Sequence, residues 1–130
     1  MTAAQMVFRI QDSEGRGPYR PGFSNCWTDP NGPDTPPWWV ELGKPLEEAL
    51  KGMSDPSMHY GCGFDSLAQM HSWFTARELR TLNRLDFRLI KFEPSLIVAH
   101  TPRQVVFGHR APLATVSPRI SLVSSLARAA

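Results

Sequence analysis

Three arginines in the first twenty residues stand where they could converge on one anion. Arg9 lies inside a short apolar run, VFRI, which alternates as a half-buried β-strand does. Arg16 and Arg20 follow in the irregular segment GRGPYRPGFSNCW. A guanidinium group can hold a carboxylate or phosphate through two parallel hydrogen bonds. Two directions stay open for Arg9: toward solvent from an open sheet face, or into a cleft where it holds an anion together with Arg16 and Arg20.

The segment after this strand is rich in aromatic side chains. Tyr19, Phe23 and Trp27 are expected to cap the sheet, because rings of this size favour burial and indicate an ordered loop. Trp38 and Trp39 are adjacent in an extended segment, where neighbouring side chains point to opposite faces. At least one of them is therefore expected at the surface, and exposed Trp and Arg are the residue types enriched at binding hot spots.

The cysteines and histidines suggest further chemistry. Cys62 lies close to His59 and could form half of a zinc site, which Cys26 with His71, His100 or His109 could complete. Structural zinc sites use four ligands at close paired spacings, so we predict no metal. Cys62 with His59 or His71 and with Asp65 can be written as a nucleophilic triad. Two reduced thiols are the simpler interpretation. The segment GCGFDS could expose backbone N–H groups to an anion at a helix start, and a tight turn explains it equally well.

Composition predicts one globular protein with long, stiffened loops. The chain has 130 residues, of which 42% are hydrophobic and twelve are proline. No apolar run reaches the roughly 18 residues needed to span a membrane, and the first residues lack the pattern of a secretory signal. We therefore expect a cytoplasmic protein without membrane contact.

Charge is weak and uneven along the chain. The formal net charge is +2, and residues 94–130 contain four arginines and no acidic residue. Spread arginines are a weak footprint for nucleic acid, which is usually bound by clustered charge. A minor contact of this segment with nucleic acid or with an acidic partner is left as a third alternative. Apart from it, we expect no nucleic-acid partner.

The order of elements predicts an α+β fold. Capping-box patterns at Ser66 and at Thr75 predict two consecutive helices. Alternation and β-branched content predict strands before and after them. The fold expected is a small, mostly antiparallel sheet with two or three short helices and a long ordered loop rich in aromatic residues and proline. The predicted strands cover 5–11, 87–92, 96–99 and 103–108, with loops at 12–45 and 54–64, a short helix at 45–53, one α+β domain over 1–110, and a weakly helical or frayed tail at 111–130.

Four motifs resemble a family of short uncharacterised proteins from bacteriophages and prophages. They are VFRI, then GRGPYR, then CGFDSLAQM followed by WF, and finally QVVF, together spanning residues 7–108. The resemblance implies a phage accessory protein. We expect it to act by stoichiometric binding to a host protein, and an anti-defence role such as inhibition of a CRISPR effector belongs to that class. The small net charge argues against a DNA mimic, which would be strongly acidic.

A second resemblance is to the mono-ADP-ribosyltransferases. Arg9 follows a hydrophobic-aromatic pair, and Gly22 and Phe23 close the next loop, as in those enzymes. The resemblance implies that Arg9 contacts NAD. The chain departs from the pattern because it has no Ser-Thr-Ser strand and carries Gln104 where a catalytic glutamate would stand. Enzymatic activity is thus left open, with no cofactor expected unless NAD binds under this alternative. The candidate ligand- or partner-binding residues are Arg9, Arg16, Tyr19, Arg20, Trp38, Trp39 and Gln104.

Overall fold

The computed structural model describes residues 5–19, 26–33, 35, 51 and 53–129. Within them, two small antiparallel sheets and three α-helices confirm the predicted α+β class. The elements are β1 (Val7–Gln11), β2 (His59–Gly63), α1 (Leu67–Trp73), α2 (Ala76–Arg84), β3 (Arg88–Phe92), β4 (Leu96–His100), β5 (Val105–His109), a 3-10 turn (Leu113–Thr115) and α3 (Leu122–Ala129). No helix in this part of the chain is both long and apolar enough to cross a membrane.

The strands form two sheets where a single sheet was expected. One sheet pairs β1 with β3, and the other has β5 in its centre between β2 and β4, all antiparallel. Among the described residues, one backbone bridge joins the sheets: the amides of Phe8 and Phe64 each donate to the carbonyl oxygen of the other, at 2.8 and 2.7 Å. The two sheets therefore meet edge to edge at β1.

Strand β2 corrects the prediction of a loop over residues 54–64. Its sequence, HYGCG, has two glycines and no alternation, so it carries no local strand signal. The glycines are required by the approach of β1. A Cβ on Gly63 would lie 2.6 Å from Val7 Cγ1, and one on Gly61 would lie 2.8 Å from Arg9 Nη1. The two glycines thus remove the strand pattern from the sequence, and they also leave the space in which β1 can approach β2.

Both helices predicted from capping patterns are confirmed. Ser66 Oγ accepts from the Gln69 amide at 3.0 Å, and the Gln69 side-chain oxygen accepts from the Asp65 amide at 2.8 Å. In an ideal capping box the second bond would come from the amide of Ser66. The box at α2 is complete, with Thr75 and Glu78 bonding reciprocally at 3.1 and 2.8 Å. These bonds satisfy amides that helix starts otherwise leave without acceptors.

The core has two parts, one on each side of the sheet that β1 forms. Ile10 and Leu89 pack against the helices, while Val7 and Ile90 face the second sheet. Leu113 and Leu122 are also buried in these clusters. Residues after 110, expected as a weak or frayed tail, thus include helix α3 and contribute to the core. The helix predicted at 45–53 falls largely outside the described residues.

Candidate functional site

Arg9 is buried at the junction of the two sheets, with 8% of its surface exposed. Its Nε donates to Gln11 Oε1 at 3.0 Å, Nη1 to the Cys62 carbonyl oxygen at 2.8 Å, and Nη2 to the Gly15 carbonyl oxygen at 3.1 Å. The guanidinium carbon lies 5.7 Å from the centre of the Phe107 ring. Each nitrogen of the side chain is therefore bound to an oxygen of the protein itself, in a place where an unpaired charge would be costly.

The electrostatics of this centre do not produce a nucleophile. Burial lowers the pKa of Arg9, and attraction to Cys62 and Asp12 opposes that shift. Burial also raises the pKa of the Cys62 thiol to about 11, although Arg9 favours the thiolate. The triad considered for Cys62 needs a thiolate near neutral pH. Its carboxylate lies elsewhere, since Asp65 Oδ2 is 2.9 Å from His100 Nε2. Among the described residues, no three histidine, cysteine or acidic side chains come together as a metal site.

Arg16 occupies a different environment from Arg9. Asp12 Oδ1 accepts from the amides of Glu14 and Arg16, each at 2.9 Å, and Asp12 Oδ2 accepts from Arg16 Nε at 3.0 Å. Arg16 also lies 2.7 Å from Glu14 Oε2, and about half of its side chain is exposed. The carboxylate of Asp12 therefore fixes the turn that presents the Gly15 carbonyl to Arg9. Arg16 closes this turn from outside.

Replacing Asp12 by asparagine is expected to lower the free energy of unfolding at pH 7 by about 1 kcal/mol. Burial raises the pKa of Asp12, but the amides of Arg16 and Glu14 and the Arg16 guanidinium outweigh it, and the net pKa is lowered. A lowered carboxyl pKa stabilises the fold above the unfolded-state value of about 3.9. This stability is lost as the pH falls through the folded-state pKa. Urea unfolding of both proteins at pH 7 and pH 3 checks this: their difference should shrink at pH 3, and an unchanged difference would contradict it.

Two aromatic residues of the loop, Tyr19 and Trp27, pack against the end of helix α1. The Tyr19 ring is half exposed, and its hydroxyl oxygen accepts from Trp73 Nε1 at 2.7 Å. Burial of that hydroxyl raises the pKa of Tyr19, despite the bond from Trp73. Trp27 meets the Tyr19 ring edge-on at 5.1 Å, lies 5.5 Å from Phe74, and donates to the Pro18 carbonyl oxygen at 3.1 Å. Tyr19 and Trp27 therefore pack on the helical layer, where a cap on the sheet was predicted, and Phe23 lies outside the described residues.

Of the remaining predicted site residues, the structure describes Gln104 alone. Gln104 is buried just before β5, and its backbone amide and carbonyl oxygen both bond to Thr101. It is not among the hydrogen-bond partners of Arg9 described above. Arg20, Trp38 and Trp39 lie outside the described residues.

An open cleft lies beside helix α1, and of the residues that line it only Asp65 was considered for chemistry from the sequence. It has a volume of about 430 Å³ and is bordered by three segments that are far apart in the chain. Its lining combines polar and apolar side chains, and Gln69 Nε2 donates to the Pro102 carbonyl oxygen at 3.0 Å between two of the lining segments. Its lining residues are Pro33, Asp65, Ala68, Gln69, Ser72, Trp73, Pro102 and Arg103. The sequence predicts helix α1, but it does not predict that Pro33 and the Pro102–Arg103 segment lie beside this helix.

Comparison with known proteins decides the family. Residues 1–119 match the model of a family described as bacteriophage T4 Y00F protein. The chain belongs to this phage protein family. This confirms the predicted relation to phage proteins, while no comparison shows a resemblance to the mono-ADP-ribosyltransferases. Searches of curated proteins and of solved structures found no significant match to this Y00F family member.

Proposed function

We propose that this Y00F family member is a stoichiometric binding protein that acts on a host protein in the host cytoplasm. The observation that carries the proposal is the open cleft beside α1. Membership of a phage protein family supports a host target. In this proposal the target belongs to a host defence system, and inhibition of a CRISPR effector would be one form of the activity.

The chemistry of the cleft suits a protruding segment of another protein. Pro102 and the small accessible edge of the otherwise buried Trp73 supply apolar surface, while Asp65 and Arg103 supply opposite charges at the same opening. Protein interfaces combine apolar contact with a few oriented polar groups in this way, and Trp and Arg dominate their binding energy. The Trp73 ring is held in place by its bond to Tyr19, so the apolar wall is formed before a partner arrives.

The alternative of an NAD-binding enzyme depends on Arg9. An arginine that clamps a dinucleotide must have donors directed at the ligand. Three of the five N–H donors of the buried Arg9 side chain, one on each nitrogen, already donate to Gln11, Cys62 and Gly15. These contacts favour a binding function at the surface over a cofactor site beneath the loop.

A pair of matched variants tests the proposal. Ala68 is exposed in the first turn of α1 and lines the cleft, so Ala68→Glu narrows it without removing a side-chain contact. Ala76 is exposed in the first turn of α2, so Ala76→Glu makes the same chemical change at a site that does not line the cleft. An acidic residue is favoured at both helix starts, so neither variant should lose stability.

Tagged wild-type protein and both variants are expressed in the host, and co-purifying proteins are quantified by mass spectrometry. We expect one host protein in fixed molar ratio with wild type and with Ala76→Glu, reduced at least tenfold with Ala68→Glu. Recovery of free protein alone in every preparation would contradict stoichiometric binding. Equal recovery of the partner with all three would contradict the cleft as its site.

A further inference from the structure

Helix α2 carries a row of arginines on its outer side. Arg77, Arg80 and Arg84, here called the arginine stripe, are all exposed. At 100° per residue they fall within an arc of about 60° and rise about 10 Å along the helix axis. The buried residues of α2 lie on the opposite side of the helix. The stripe therefore points directly away from the core.

The charge of the stripe is not neutralised by the residues that the structure describes. None of their ion pairs includes Arg77, Arg80 or Arg84. Glu78 is the one acidic residue of α2, and its two oxygens accept from the amides of Thr75 and Asp29 inside the fold. Exposed helix faces commonly carry charges of both signs. The exposed face of α2 differs because all of its charged residues are arginines.

More positive charge lies just beyond the C-terminal end of α2. Arg88 Nη1 donates to the Asn83 carbonyl oxygen at 2.9 Å, and Arg119 Nη2 donates to the Asp86 carbonyl oxygen at 3.3 Å. The Asp86 carboxylate, 3.5 Å from Arg88 Nη2, is the nearby acidic group. The basic surface thus continues past the helix, although the net charge of the chain is only +2.

We propose that the arginine stripe binds the phosphate backbone of double-stranded nucleic acid. Forked guanidinium groups in a line match a polymer whose charge repeats along its length. Single-stranded nucleic acids are bound largely by base stacking on aromatic rings, and α2 contains no aromatic residue. The sequence predicts no nucleic-acid partner because its arginines are spread along the chain, but the helix gathers three of them onto one face. This surface is separate from the cleft and adds to the proposed function.

The test is binding of a fluorescent DNA duplex of about 20 base pairs, measured by anisotropy from about 50 to 300 mM salt. The stripe variant is Arg77→Gln with Arg80→Gln. The control is Lys91→Gln with Arg110→Gln, which removes the same charge from exposed residues outside α2. We expect the stripe variant to bind at least tenfold more weakly. The slope of log affinity against log salt should fall by about 0.9 for each arginine removed. The control should stay within about twofold of wild type at each salt concentration.

Three results would overturn the proposal. The first is no anisotropy change for the wild type at the lowest salt concentration. The second is an equal loss in both double variants, which would reflect net charge only. The third is binding of polyglutamate or of phosphatidylserine vesicles to the wild type as tightly as the duplex binds, with the stripe variant losing affinity for them by the same factor as for the duplex. That would assign the stripe to an acidic protein or a membrane surface.

Discussion

Replacing Arg9 by methionine is expected to lower the free energy of unfolding by about 3 kcal/mol or more. The change leaves the Cys62 and Gly15 carbonyl oxygens and the Gln11 side chain without their buried donor. Unsatisfied buried polar groups cost about 1 to 3 kcal/mol each. Urea unfolding followed by tryptophan fluorescence measures the difference. Arg16→Met is the control, because about half of the Arg16 side chain is exposed and the two Asp12-bound amides remain, so its ion pairs should contribute no more than about 1 kcal/mol.

A second variant separates charge from geometry at this position. Arg9→Lys keeps the positive charge but replaces a planar fork with a single ammonium group, which cannot reach three divergent oxygens at once. We expect its stability to fall between those of the wild type and Arg9→Met. If both Arg9 variants were as stable as Arg16→Met, Arg9 would not be the internal link between the sheets.

Replacing Gly63 by alanine is expected to destabilise the protein by about 2 to 3 kcal/mol. The new Cβ would lie 2.6 Å from Val7 Cγ1 and 2.7 Å from the Phe8 carbonyl oxygen. That oxygen accepts from the Phe64 amide in the bridge between the sheets, so relief of the clash must disturb the bridge. The melting temperature and the urea midpoint should both fall.

Gly17→Ala provides the matched control for this change. The closest atom to its added Cβ is Arg9 Nη2 at 3.5 Å, an ordinary contact with a side chain. We expect an effect below about 1 kcal/mol, helped by the smaller entropy of the unfolded chain. Equal stability of the two alanine variants would show that β1 and β2 do not approach as closely as described.

The sequence predicts the elements whose signals are local. The capping residues Ser66 and Thr75 mark helix starts because their side chains bond amides only three residues away. Strand β3 is visible because its exposed Lys91 interrupts buried apolar neighbours. Strand β2 is not visible, since its glycines respond to β1, which is distant in sequence.

The candidate site was harder to predict for the same reason. The alternation in β1 suggests that one face of the strand is exposed to solvent, but both faces are covered. The pattern therefore could not predict the direction in which the Arg9 side chain points. The cleft joins Pro33, helix α1 and Pro102, and no short motif encodes such a meeting. The arginine stripe was readable as helical spacing once α2 was predicted, but its lack of acidic neighbours required the fold.

The most direct test of a surface function rather than a cofactor function is calorimetric titration of the wild-type protein with NAD, with Arg9→Lys titrated alongside. Arg9 is held by oxygens of the protein, so we predict no saturable heat from either protein up to millimolar NAD. Saturable binding by the wild type that disappears in a folded Arg9→Lys protein would contradict this prediction. It would place a dinucleotide site at Arg9 and make the enzyme alternative the leading one.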